Sequence, residues 1–168
     1  MEPDSPVILS ENQFPVVGIG ASAGGLDAFK KFIKAIPKNS GMAYVLVQHL
    51  SPDNESVLAE LLQKVTEIPV AEITDHVKVL PDHIYIIPSK KILVANDGIL
   101  KLSPRPEKSR KERNLPIDIF FTSLAEVHRD HAIGVVLSGT ASDGTLGLKA
   151  IKDNGGITFA QDEASAAY

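Results

Sequence analysis

Gly20-Ala-Ser22-Ala-Gly24 has the G-x-S-x-G spacing of a nucleophilic serine on a sharp turn between a strand and a helix. Small neighbours let other groups approach the hydroxyl closely, and a helix N-terminus beneath it favours negative charge. The segment does not fit a nucleotide loop. Its third glycine, Gly24, falls one residue late for G-x-G-x-x-G, and no lysine sits where a phosphate loop needs one. Small-residue turns also fill this place in inert α/β folds, so the pattern alone leaves both readings open.

A serine needs a base, and histidine titrates near neutral pH. Of the five histidines, His49 alone ends an apolar strand, beside Gln48. His76 and His83 flank a region of short strands, while His128 and His131 flank a long helix; surface or capping roles are expected for these four. No histidine pair has metalloprotease spacing and there is no cysteine, so no metal site is expected. A third group must orient the imidazole. Asp143, in Ser138-Gly-Thr-Ala-Ser-Asp143-Gly144, follows the most apolar strand of the chain. It could equally cap the helix that follows. Asp75, Asp82 and Asp130 stand in less suitable contexts. The order Ser, His, Asp differs from the Ser, Asp, His order of ordinary α/β-hydrolases, so the residues lead as far as a serine hydrolase of unusual topology.

The elements that must position these residues alternate between strand and helix. Phe14–Ile19, Ala43–Val47, Pro69–Ala71, Ala132–Leu137 and Ile157–Ala160 are short, apolar strand candidates. Leu26, Phe29, Phe32, Ile33 and Ile36 mark one helix, and Val57, Leu58, Leu61, Leu62 and Val65 a second, capped by Asp53 or Asn54. Ile117, Phe120, Phe121, Leu124 and Val127 mark a third; Leu146, Leu148 and Ile151 mark a fourth, closed by Gly155-Gly156. His83–Ile87, Ile92–Ala95 and Ile99–Leu102 predict three short strands, with Asn96-Asp97-Gly98 as a hairpin turn. The expected fold is α/β: a three-layer, doubly wound, mostly parallel sheet with helices on both faces and a β-meander insertion around 77–102. Ligands in such folds bind beyond the C-terminal strand ends, where Ser22, His49 and Asp143 fall.

The 168 residues suit one domain, with residues 1–13 as a leader arm and 14–168 as the folded unit. A net charge of −4 argues against a general nucleic-acid binder, and no run of about 18 apolar residues could span a bilayer. The acidic N-terminus does not read as a signal peptide, so a cytoplasmic location is expected. The stretch 101–113 holds six Lys/Arg against two Glu and reads as a solvated loop, with contact to an acidic partner surface as the other reading.

GIGASAGG (18–25), VLVQHL (45–50), PIDIFFTSLAE (116–126) and VVLSGTASDGTLGLKAIKDNGG (135–156) resemble the catalytic domain of the chemotaxis receptor methylesterases, over about residues 14–168. The texture of 116–150 looks closer to members fused to a receptor methyltransferase domain. The resemblance implies hydrolysis of glutamate γ-methyl esters on chemoreceptor cytoplasmic helices, with methanol released, and in many members glutamine deamidation. It implies Ser22 as nucleophile, His49 as base and acid, and Asp143 as the orienting carboxylate, with neither cofactor nor metal. Backbone N–H groups of Thr140 and Ala23 would form the oxyanion hole.

Family members typically carry methionine and glycine where this chain has Thr140 and Ala141, and alanine restricts the loop's dihedrals. A receiver domain usually precedes the catalytic one, and none is expected here. Family domains also run on past the segment Gln161–Tyr168, so a truncated C-terminus is expected. Two alternatives follow from other classes: a catalytically silent module that binds a receptor or regulator, and a small nucleotide-binding domain using Gly18–Gly25.

Overall fold

The computed structural model describes residues 14–21, 26–48, 56–88, 91–96, 98–104, 115–137 and 143–161. The expected arm (1–13), the basic loop around 105–114 and the tail 162–168 lie outside the described residues.

Six strands form the main sheet in the order β3-β5-β2-β1-β8-β9, every pair parallel. They are β1 (Val16–Ala21), β2 (Ala43–Gln48), β3 (Val70–Glu72), β5 (Ile84–Ile86), β8 (Ala132–Leu137) and β9 (Ile157–Ala160). Each central strand is nearly continuous apolar sequence because both of its faces are covered. Among the described residues four α-helices flank the sheet: α1 (Leu26–Lys34), α2 (Ser56–Gln63), α3 (Pro116–His128) and α4 (Thr145–Asp153). Alternate strand residues serve different layers. Val17, Ile19, Tyr44 and Leu46 pack with Phe29 and Ile33 of α1 and Leu62 of α2. Val16, Val45 and Val47 pack instead with Ile117, Phe120 and Phe121 of α3 and Ile151 of α4. The expected α/β architecture, mostly parallel with helices on both faces, is present.

Two details differ from the sequence reading. The small antiparallel sheet consists of β4 (Val77–Lys78), β7 (Ile99–Pro104) and β6 (Lys91–Asn96), in the order β4-β7-β6. Ile84–Ile86 is not part of it but pairs in parallel with β2 and β3 in the main sheet. A three-residue apolar run satisfies either sheet, so its sequence could not choose between them. Leu146, expected on the apolar stripe of α4, is 64 % exposed in the helix's first turn.

α3 and α4 sit unusually close to the sheet. A Cβ on Gly18 would lie 2.7 Å from the Phe121 ring, and one on Gly20 would lie 2.6 Å from Ile117. Gly134, the register partner of Gly18 on β8, faces Ile151 in the same way. Glycines at these neighbouring positions let α3 and α4 settle against β1 and β8. Because Ile117 opens α3 and Gly20 nearly ends β1, the N-terminus of α3 stands over the C-terminal end of β1. That placement builds the site.

Candidate active site

β1 lies between β2 and β8, so the chain switches direction across the sheet at β1. The strands end in register there: Ala21 is paired with Gln48 on β2 and with Leu137 on β8. Neighbouring strands are about 4.8 Å apart, so the chain leaves the sheet at one level within a narrow span. Ser22 and His49 are the next residues of β1 and β2; both lie outside the described residues, as do Ala23, Thr140 and Ala141.

Asp143 is described and is only 1 % exposed. Its Oδ2 accepts the Ile117 N–H at 3.1 Å and its Oδ1 accepts the Asp118 N–H at 2.9 Å. The carboxylate thus sits at the N-terminus of α3, rather than capping the helix that follows it in sequence. The fit follows from the local sequence. Leu115, at the N-cap position of α3, has no side-chain acceptor, and Pro116 has no N–H. Ile119 N–H begins the helical ladder on the Leu115 carbonyl at 3.0 Å. The two N–H groups left over are those that Asp143 takes. Each carboxylate oxygen can accept more than one hydrogen bond, so the group retains capacity for an imidazole N–H.

Asp118 lies in the first turn of α3, facing the start of α4. It is 6 % exposed, and its Oδ1 accepts both the Gly144 N–H at 3.0 Å and the Gly147 N–H at 2.7 Å. Its Oδ2 is buried and has no hydrogen-bond partner among the described residues. Burial, aided by the negative charge of Asp143, pushes the Asp118 carboxyl above the usual carboxylate range, against the lowering effect of the Gly147, Gly144 and Leu146 amides. No sequence periodicity signals such a contact, because its partners are 26 and 29 residues away.

The other aspartates are employed elsewhere. Asp82 accepts the Gly41 N–H at 2.9 Å and donates its own N–H to the Met42 carbonyl, at the opposite end of β2. Asp75 accepts the Leu102 N–H at 3.0 Å, tying the small sheet. Asp130 pairs with His131 at 3.2 Å, just before β8 begins. The remaining histidines lie apart from the strand ends as well. His76 pairs with Asp75, and His83 Nδ1 lies 2.8 Å from the Pro81 carbonyl. His128 departs from the expected surface role, being buried in the last turn of α3.

This arrangement can hold a carboxylate rigidly at a switch-point edge, beside two strand ends followed by a serine and a histidine. The family profile described as CheB methylesterase matches residues 17–168. A putative protein-glutamate methylesterase/protein-glutamine glutaminase of Leptospira interrogans is 33 % identical over 156 residues, covering 91 % of this chain and 79 % of that protein. The Salmonella typhimurium protein-glutamate methylesterase/protein-glutamine glutaminase is 35 % identical over 164 residues, or 95 % of this chain and 45 % of that longer protein. Among solved structures, the crystal structure of the Thermotoga maritima CheB methylesterase catalytic domain superposes with a TM-score of 0.81 at 30 % identity, covering 93 % of this chain and 84 % of that one.

Proposed function

The chain belongs to the CheB methylesterase family, and we propose that it hydrolyses glutamate γ-methyl esters on chemoreceptors through Ser22, His49 and Asp143. The observation that carries this reading is the Asp143 carboxylate, buried and held by two α3 amides at the edge where β1 and β2 end in register.

In the proposed mechanism Ser22 Oγ attacks the γ-ester carbonyl while His49 takes its proton. Asp143 accepts the other imidazole N–H, fixing the tautomer and stabilising the imidazolium. Backbone N–H groups, with Thr140 and Ala23 as the candidates, hold the oxyanion. His49 then protonates the departing methoxide. Water, activated by the same imidazole, releases glutamate and regenerates Ser22. Attack on a glutamine amide by the same groups would release ammonia, which is the deamidation named for the relatives.

Residues 14–168 are the proposed catalytic domain, acting on methylated cytoplasmic helices of chemoreceptors. A receptor methyltransferase domain, fused or associated, is the proposed partner. The test is methanol release from methylated chemoreceptor signalling fragments, with wild type and S22A compared. Release by wild type and none by S22A is expected. No release by wild type, on a folded protein, would favour the silent binding module.

A further inference from the structure

α3 and α4 each lack an N-terminal cap of their own. Leu115 precedes α3 with no side-chain acceptor, and Gly144 precedes α4 in the left-handed region at φ 103° with no side chain at all. Each helix borrows its cap from the other. Asp143, just ahead of α4, accepts from Ile117 and Asp118 of α3; Asp118, in the first turn of α3, accepts from Gly144 and Gly147 at the start of α4. Four hydrogen bonds of 2.7 to 3.1 Å thereby close a ring between the two helix starts. The packing beneath leaves little play. A Cβ on Gly147 would stand 2.5 Å from Phe121 Cβ and 3.2 Å from Asp118 Cα.

We propose that Asp118 is a positioning residue of the active site, latching the turn at 143–147 onto α3 and so fixing the direction in which Asp143 presents its carboxylate. The proposal rests on the reading of Asp143 as the group that orients His49. It explains a feature the capping of α4 alone does not. A carboxyl oxygen, Asp118 Oδ2, stays buried without a partner among the described residues, beside a second buried carboxylate. Buried polar atoms left unpaired are costly, and their retention in a native fold calls for a reason. Here the second carboxylate, Asp143, is gripped by the Ile117 and Asp118 amides of α3, and it projects from the turn that Asp118 Oδ1 holds in place through Gly144 and Gly147. Without Asp118 Oδ1, the Gly144 and Gly147 amides would lose their acceptor. Asp143 would then keep its chemistry but not its aim, which is the kind of loss that supporting residues cause.

The test compares kcat and KM for methanol release by wild type, D118A, D118N and D143A, each verified as folded by circular dichroism at the assay temperature. D118A is expected to lose about 10- to 100-fold in kcat with KM within about twofold, the usual cost of removing a residue that orients a catalytic group. D118N keeps an oxygen for the two amides and is expected to retain kcat within about threefold, a rescue that a need for charge would not allow. If D118A is folded and keeps wild-type kcat, or loses only through KM, the proposal fails. Failure of D118A to fold would also overturn it, since the latch is local to one turn. D143A separates the two ideas. A large loss in D143A with none in D118A would sink the positioning role alone, whereas full activity in D143A would sink the site reading beneath it.

Discussion

The two faces of the main sheet are built to different tolerances. On one, α3 and α4 lie over glycine positions of β1 and β8 so tightly that a methyl group would meet Phe121 or Ile117 at 2.6 to 2.7 Å. On the other, α1 and α2 pack through larger side chains, and toward β9 the layer opens into an apolar groove of about 750 Å³. Phe32, Ile36, Val135, Ile157 and Phe159 are among its walls, and Phe159 is 57 % exposed. The buried carboxylate pair lies on the tight side. Close packing is what a carboxylate with a fixed direction needs, because interiors packed to crystal density transmit position rather than absorb it.

The largest effect expected from this contrast comes from one residue type on the two faces. Phe121 is fully buried, meets Phe120 edge-on at a ring separation of 6.2 Å, and touches the space above Gly18 and beside Gly147. F121A should cost about 3–5 kcal/mol in denaturant unfolding, the range for deleting a buried aromatic ring. G147A comes next. Alanine ordinarily favours a helix by about 1 kcal/mol over glycine, yet here its Cβ has no room, and a net loss of about 1–3 kcal/mol is expected. A gain in melting temperature for G147A would show the tight face to be looser than described.

The Asp118 carboxyl supplies a pH signature. Its pKa in the folded protein is raised above the ordinary 3.8, chiefly by burial and further by Asp143, the ionisable group facing it. Between those two values the native state binds more protons than the unfolded chain. Its contribution to stability is therefore complete below 3.8 and is lost as pH rises through the raised value. Melting temperatures of wild type and D118N, measured across mildly acidic pH, should favour wild type most at the acid end, with the difference shrinking upward. A constant difference would mean that Asp118 ionises as it would in water. The smallest effect belongs to F159A on the open face, where a change within about 0.5 kcal/mol is expected, against several for F121A. A loss comparable to that of F121A would erase the contrast.

The layers were readable because burial writes itself into periodicity. Val17, Ile19 and Ala21 face α1 while Gly18 and Gly20 face α3, and the helices carry their apolar stripes at the expected positions. The assignment of Ile84–Ile86 was not readable, because a three-residue apolar strand carries no mark of its sheet. Leu146 was misread because it falls on the helical stripe by spacing, whereas in the first turn of α4 it is Gly147 that faces α3 and Leu146 is 64 % exposed. Ser22, His49 and Asp143, the proposed triad, stood out in the sequence as polar residues following apolar strands. The exchange of caps between Asp118 and Asp143 did not, since it joins residues 25 apart through side chain and backbone. Such contacts leave no local pattern, and only the packing of α3 over β1 reveals them.

In the proposed site the ends of β1 and β2 deliver an activated serine beside its base. An alkyl fluorophosphonate, which reacts with activated serine hydroxyls, tests this without any receptor substrate. Mass mapping of the labelled protein should find the phosphonyl group on Ser22 in wild type. H49A, folded to the same extent, should label at least about 100-fold more slowly, in keeping with the loss of a general base. Labelling on another serine, or equal labelling of Ser22 in H49A, would contradict the account.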